Sequence, residues 1–192
     1  MDIDRAKQLY ADSLVWDMVF IYEPEMGNAA NLFDRYRAAG VDFVSVHPAG
    51  DRHTIAEAVK RIARCRADVR AHPNAVLIES VDDILAAKRD GKLAVSIHLE
   101  GLRPLERDLN MVEVYYALGV RFAHLIFNLI NEIGGGCADR YDIGLTKFGV
   151  KVVHEMNRVG MLVDGAHCGY RATLDMIEVS KDPVIFSMFP ST

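Results

Sequence analysis

Residues 92–104 read KLAVSIHLEGLRP, an apolar run that ends in a turn. Successive side chains of a strand point to opposite faces, so His98 and Glu100 share one face, and Ile97 and Leu99 share the other. A carboxylate among apolar neighbours is costly unless it is paired, hydrogen-bonded or bound to a metal ion. The run therefore predicts a buried strand that delivers Glu100 to a polar site at its carboxyl end.

Apolar strand-like runs alternate with helical runs along the whole chain. Strands that are apolar on both faces and alternate with helices are typical of a parallel sheet covered by helices. We therefore predict a single α/β domain over residues 1–192, with six main strands and one short additional strand. The main strands are predicted at 13–21, 41–48, 92–100, 120–128, 161–167 and 183–189, the additional strand at 75–80, and helices at 31–40, 54–72, 81–91, 110–119, 146–160 and 171–181.

The composition argues against several classes of partner. The 192 residues are 51% hydrophobic and carry a net charge of −5, whereas a surface for nucleic acid or an anionic membrane needs a basic patch. No apolar run approaches the roughly 20 residues of a membrane-spanning helix. The charged N-terminal stretch lacks the apolar centre of a signal peptide. Three cysteines without a CxxC pair predict reduced thiols, so we expect a cytoplasmic protein.

Polar residues stand at the ends of several predicted strands, where parallel α/β folds gather their chemistry. They are Asp17, His47, His98 with Glu100, Asn128 and His167. A glutamate and a histidine from two strand ends form half of a site for zinc or another divalent ion, with ligand distances of about 2.0–2.2 Å. Such an ion polarises a carbonyl and lowers the pKa of a bound water, as hydrolysis near neutral pH requires. Glu100 and His167 are therefore the leading candidates for metal ligands.

The other candidates have plainer interpretations. His47 precedes a proline and is predicted to be a loop residue, and His124 is predicted to be a core histidine in the middle of a strand. Cys168 stands beside His167, but no base is spaced to activate its thiol, so a structural role is expected. Two roles remain open for His98: it positions Glu100 by a hydrogen bond, or it replaces a lost metal ligand.

The stretch GLTKFGVKVVHEMNRVGMLVDGAHCGYRATLDMIEVSKDPVIFS at 144–187 carries the most specific pattern of the chain. Together with HLEG at 98–101, LVWDMVF at 14–20 and the loop GGGCADRYDIG at 134–144, it resembles the membrane (renal-type) dipeptidases, the zinc-dependent M19 peptidases. The resemblance runs through almost the whole chain. It implies an amidohydrolase-like (β/α)8 TIM barrel, of which this chain holds about six of the eight strands, and hydrolysis of a dipeptide's amide bond.

The resemblance also implies roles for individual residues. Glu100 matches the carboxylate that bridges two zinc ions, and it is the residue that we assign to catalysis. His167 matches a zinc histidine, and Asp17 matches the first aspartate of the first-strand motif, so the implied metal ligands are Glu100, His167 and Asp17. Phe127 stands where the family has a histidine that contacts substrate, and we expect the adjacent Asn128 to take that role. The implied cofactor is zinc, as one or two ions.

Three further ligand positions depart from the family pattern. Val19 and Ile21 stand in place of a histidine and an aspartate, and Met188 stands in place of the next zinc histidine. Aliphatic side chains offer zinc no donor atom, and a thioether suits softer ions.

The chain is also expected to lack strands seven and eight of the barrel, through truncation, through completion by another chain, or as a genuine six-stranded remnant. Open sheet edges invite association, so a homo-oligomer that covers them is expected. Two functions therefore stand side by side. The first is a metal-dependent dipeptidase-like hydrolase with a small dipeptide-like substrate. The alternative is a non-catalytic, truncated family remnant with a degraded metal site.

Overall fold

The computed structural model of the protein describes residues 2–23 and 29–188. Helices and strands alternate along this part of the chain, as predicted. The helices are α1 Ile3–Asp12, α2 Ala29–Ala38, α3 Ile55–Ala71, α4 Val81–Arg89, α5 Met111–Ala117, α6 Lys147–Val159 and α7 Tyr170–Val179. The strands are β1 Trp16–Ile21, β2 Phe43–Gly50, β3 Ala75–Leu77, β4 Leu93–Glu100, β5 Val120–His124, β6 Leu162–Asp164 and β7 Val184–Ile185.

One sheet contains all of these strands, in the order β1-β2-β4-β5-β6-β7. The pairs from β4 to β7 are parallel, and β3 pairs in parallel with Leu93–Val95 at the start of β4. Every residue of β2 and all but the last of β4 are buried. The predicted α/β fold, with six main strands and one short additional strand, is therefore confirmed. Strand β4 is apolar on both faces because both of its faces are buried, as predicted.

By backbone proximity the described residues form two compact units. The first contains the residues up to Val46 together with Arg64–Ser96, and its core includes Phe43, Ile84 and Ala94. The second contains His47–Ala63 together with the residues from Ile97 onward. It buries apolar side chains of β4, β5 and α6, among them Ile97, Leu99, Phe122, Val152 and Met156.

Capping residues mark several helix boundaries. Thr54 caps α3 by a capping box, because its hydroxyl accepts the Glu57 N–H at 3.3 Å while the Glu57 carboxylate accepts the Thr54 N–H at 2.8 Å. Thr146 begins α6 by accepting the N–H of Gly149, and Gly160 ends it at φ 84°, a backbone conformation that suits glycine. Helix α1 was not predicted. Within the described residues, no helix is both long and apolar enough to cross a membrane.

Several strands end elsewhere than predicted, and these differences move functional residues. Strand β2 continues through Pro48 to Gly50, because a proline costs a strand one ladder hydrogen bond without ending it. Strand β5 stops at His124 rather than at residue 128, since the N–H of Phe127 is donated to the Asp51 carboxylate at 3.0 Å instead of to a neighbouring strand. Strand β6 stops at Asp164, so His167 lies in the turn beyond it.

Candidate metal centre

Glu100, His124 and His167 meet in the second unit. Each offers one donor atom, and these atoms all lie within 4.8 Å of one another. The register explains part of this arrangement, since Glu100 and His124 are direct partners at the ends of the neighbouring strands β4 and β5. His167 follows β6, the next strand in the sheet. Parallel strands end at the same edge, so the ends of three consecutive strands bring one potential donor residue each.

Glu100 lies between two imidazoles. Its Oε1 is 3.6 Å from His167 Nε2, and its Oε2 is 3.7 Å from His47 Nδ1. Burial acts to raise the pKa of Glu100, but its interactions with His167, His47 and His124 together hold it below its ordinary value. The side chain is 13% exposed, so a small ligand can reach this carboxylate from solvent.

His167 is held from its far side by Asn128. Both residues have left-handed backbone conformations, with φ of 67° and 62°, which few residues other than glycine adopt. The Asn128 Oδ1 lies 2.8 Å from His167 Nδ1 and accepts its proton. A hydrogen bond at Nδ1 leaves the Nε2 lone pair, which faces Glu100, available to a metal ion. The strained turns thus orient the imidazole.

His124 is held by a buried carboxylate. Its Nε2 is 3.3 Å from Asp164 Oδ2 and 2.9 Å from the Ser187 hydroxyl. Although burial acts to raise the pKa of Asp164, hydrogen bonds from His124, Ser187 and the N–H of Ala166 hold it below its ordinary value. Asp164 therefore stays charged at neutral pH, at the end of β6.

His98 lies one layer deeper. Its ring stacks on Phe122, with centroids 4.5 Å apart and planes 8° apart, and its centroid is 5.4 Å from that of His47 and 5.3 Å from that of His124. Burial holds the pKa of His98 well below its usual range, and the neighbouring His124 and His47 lower it further. The neutral His98 imidazole thus packs against Phe122 and against the two histidines, His47 and His124, that lie near Glu100 or belong to its group. His98 is not part of the three-residue group.

Asp51 connects the loops that follow β4 and β5 by hydrogen bonds. Its carboxylate accepts the N–H groups of Arg103 at 2.8 Å and Phe127 at 3.0 Å, together with the Asn131 side-chain amide. Its own N–H is donated to the carbonyl of Glu100. The chain reaches Asp51 through Gly50, where a Cβ would lie only 2.0 Å from the Glu100 carbonyl oxygen, so this close approach requires glycine.

The donor set fits a divalent metal ion. Two imidazoles and one carboxylate are the ligands of many zinc sites. His124 Nδ1 is buried, and the described part of the chain supplies no hydrogen-bond partner for it. An imidazole nitrogen that binds a metal ion is expected to lack such a partner. Met188 is also close, with its Sδ 3.3 Å from His167 Nε2.

The structure brings together some of the predicted site residues. Glu100 and His167 lie together as expected, and Asn128 lies beside His167. Asp17 lies in β1 of the first unit, where its carboxylate accepts the Tyr36 hydroxyl at 2.8 Å. It is not part of the three-residue group, so its role as a ligand stays a prediction.

Sequence reasoning missed two residues and misplaced a third. His124 is fully buried, as expected of a core histidine, but it is the last residue of β5 rather than a mid-strand residue. His47 is a buried strand residue beside Glu100, not a loop residue. Asp164 was not singled out. The apolar run before Asp164 was a signal for that residue, whereas His124 is followed by further apolar residues, so no local pattern marked it as a strand end.

Comparisons with known proteins identify relatives of this chain. The model of the family "Membrane dipeptidase (Peptidase family M19)" matches residues 3–189. An uncharacterized dipeptidase of Schizosaccharomyces pombe is 40% identical over 118 residues, which are 57% of this chain and 28% of that protein. Dipeptidase 3 of Rattus norvegicus is 35% identical over 143 residues, which are 71% of this chain and 29% of that protein. The match thus spans less than a third of the length of these relatives.

A solved structure shows the same fold. The amidohydrolase from Pseudomonas aeruginosa superposes with a TM-score of 0.84 at 30% identity, over 94% of this chain and 54% of that one. The α/β fold described above is therefore part of a (β/α)8 barrel, as predicted. The family implies bound metal ions, in agreement with the donor set of the three-residue group. The chain belongs to the membrane dipeptidase family, peptidase family M19.

Proposed function

We propose that this chain is a metal-dependent dipeptidase-like hydrolase in which Glu100, His124 and His167 hold a zinc ion. The observation that carries the proposal is the convergence of these three donors, within 4.8 Å of one another, at the ends of consecutive strands. His124 takes a ligand role that the family resemblance did not assign to it. Asp17 stays a further candidate ligand.

The neighbouring residues prepare the donors for a cation. Asn128 accepts the His167 Nδ1 proton at 2.8 Å, so Nε2 offers its lone pair to the ion. Asp164 lies 3.3 Å from His124 and orients that imidazole. Glu100 is ionised at neutral pH, because its pKa lies below the ordinary value. The centre therefore combines two imidazole nitrogen donors with one negative oxygen donor.

The chemistry follows from these donors. A zinc ion in this position supplies Lewis-acid polarisation of an amide carbonyl and acidification of a water molecule. Glu100, which is partly open to solvent, would hold the ion, and its carboxylate would serve as a proton acceptor during hydrolysis. Asn128 uses its Oδ1 for His167, so we assign its amide nitrogen to a contact with the substrate.

The substrate class comes from family membership and from the relatives' names as dipeptidases. A small dipeptide-like substrate suits a centre at the strand ends, where the loops after β4, β5 and β6 surround Glu100. Two further expectations belong to the same proposal. Cytoplasmic location is supported by the free thiols of Cys65, Cys137 and Cys168. A homo-oligomer that covers sheet edges stays a prediction.

Metal content tests the proposal directly. The chelator-washed protein is incubated with zinc, desalted and analysed for bound metal, alongside the variants Glu100→Gln, His124→Ala and His167→Ala. His154→Ala and Glu178→Gln serve as matched controls, since both side chains are exposed on helices α6 and α7. Asp17→Asn is measured in the same series. Each zinc-loaded protein is then assayed for hydrolysis of a panel of dipeptides.

The expected result is near-stoichiometric zinc in the parent and in both controls, with loss of zinc and of dipeptide hydrolysis in the three ligand variants. Zinc retained at parental levels in those folded variants would overturn the assigned ligands. Stoichiometric zinc without hydrolysis of any dipeptide would overturn the catalytic part of the proposal and leave a metal-binding family remnant.

A further inference from the structure

We propose that the centre also binds copper(I), through the thioether of Met188 together with the imidazoles of His167 and His124. The inference rests on the proposed function in one respect only: it shares both histidines with the zinc site. Its new element is the sulfur. Met188 Sδ lies 3.3 Å from His167 Nε2, the same nitrogen that faces Glu100 at 3.6 Å.

The contact is unusual for a methionine. Methionine side chains commonly fill irregular gaps in apolar cores. Met188 is instead 36% exposed, and its sulfur faces an imidazole nitrogen at the edge of the centre. A sulfur in this position adds a soft donor to a group that otherwise has only nitrogen and oxygen donors.

The chain segment after β7 places two consecutive residues on the two histidines. The Ser187 hydroxyl lies 2.9 Å from His124 Nε2, and Met188 Sδ lies against His167 Nε2. The centroids of the two imidazole rings are 5.4 Å apart. The same short segment therefore contacts both histidines, and its sulfur lies next to His167 Nε2, the nitrogen that would hold an ion.

The donor chemistry decides which ion this is. Thioether sulfur is a soft ligand that selects copper(I), imidazole suits copper as well as zinc, and carboxylate oxygen suits harder ions. Two imidazoles with one thioether form a nitrogen–sulfur set for copper(I), whereas the same imidazoles with Glu100 form a nitrogen–oxygen set for zinc. Because both sets use His167, the two ions compete.

The test must exclude the cysteines. Cys137 is exposed and its thiol would bind copper(I) by itself, whereas Cys65 and Cys168 are buried. The measurements therefore use Cys137→Ser protein, with and without Met188→Leu, which removes the sulfur and keeps the approximate volume. Met111→Leu is the control, as a partly buried methionine at the start of helix α5.

Copper(I) is supplied anaerobically as its bicinchoninate complex, and affinity is read from the loss of the chromophore. Zinc affinity is measured on the same proteins with a chromophoric chelator. We expect Met188→Leu to weaken copper(I) binding at least tenfold and to change zinc affinity less than threefold, while Met111→Leu changes neither. X-ray absorption of the copper-loaded protein should contain a sulfur shell that Met188→Leu removes.

The two proposals fail separately. Copper(I) affinity unchanged by Met188→Leu would overturn the copper site and leave the zinc centre standing. Copper(I) bound in a Met188-dependent way by a protein that takes up no zinc would uphold the copper site and overturn the zinc centre. Copper(I) that does not compete with zinc would show that the two ions do not share His167, and would overturn this inference.

Discussion

Asp164 Oδ2 lies 3.3 Å from His124 Nε2, and both side chains are completely buried. The pair joins the ends of β5 and β6, and it couples a residue that faces the centre to a carboxylate behind it. Such a carboxylate fixes the orientation of a ligating imidazole and raises its basicity.

Replacement of Asp164 should therefore weaken metal binding without removing a ligand. We expect Asp164→Asn to lower zinc affinity by about 10- to 100-fold, because the amide carries no charge to support the His124 imidazole. Zinc affinity is measured by chelator competition. Asp182→Asn, at an exposed residue, is the control. Unchanged zinc affinity in a folded Asp164→Asn protein would show that His124 is not a ligand.

Asp51 should contribute to stability through the groups that it satisfies. Asp51→Ala removes the acceptor for the N–H groups of Arg103 and Phe127 and for the Asn131 amide. A buried donor without a partner costs about 1–3 kcal/mol, so we expect a loss of about 3 kcal/mol in the free energy of unfolding.

Urea denaturation measures this loss. Asp108→Ala is the matched control, since Asp108 is exposed and accepts only the local N–H and side-chain amide of Asn110. The control should lose less than about 1 kcal/mol. A similar small loss for Asp51→Ala would contradict the role of Asp51 in holding the loops.

The thiols should differ sharply in reactivity. Burial raises the pKa of Cys65 and the pKa of Cys168 to about 12 each, so almost no thiolate forms at pH 8. Cys137 is exposed. With a disulfide reagent at pH 8 we expect one thiol to react rapidly and two to react only after denaturation. Cys137→Ser should abolish the rapid phase. A rapid phase that persists in this variant would contradict the buried state of Cys168 beside His167.

Tyr115 should make stability depend on alkaline pH. Its side chain is fully buried, and its hydroxyl donates to the Pro104 carbonyl at 2.9 Å. Burial and the charge of Glu106 raise its pKa to about 12, above the ordinary value of 10.0. The folded state thus keeps a proton that the unfolded chain releases, so this contribution is complete below pH 10 and is lost as the pH rises toward 12.

We therefore expect Tyr115→Phe to lose about 1 kcal/mol at pH 7, where the hydrogen bond is removed. The variant should also lose less stability than the parent between pH 10 and pH 12, the interval between the ordinary and the raised pKa. Urea midpoints at pH 7 and pH 11 measure both effects. The exposed Tyr141→Phe should behave as the parent. Equal alkaline slopes for Tyr115→Phe and the parent would contradict the raised pKa.

Local patterns predicted most of the fold. The apolar run at 92–100 predicted the buried strand β4, and the helical runs at 54–72 and 146–160 predicted α3 and α6, because hydrophobic periodicity is a property of adjacent residues. The ends of β5 and β6 were predicted too far along the chain. The end of β5 depends on a hydrogen bond from Phe127 to Asp51, 76 positions away, and no local pattern contains that information.

The candidate site divides in the same way. The sequence by itself determined the α/β fold and the likeness to the M19 peptidases, and it marked Glu100 and His167 as strand-end residues. Only the tertiary structure decided that His124 joins them, that Asp164 supports it, and that the sulfur of Met188 lies against His167. The reason is physical. A single residue shows which donor atom is available, but a metal centre also requires short distances between residues on different strands, and these distances are set by sheet register and by long-range hydrogen bonds.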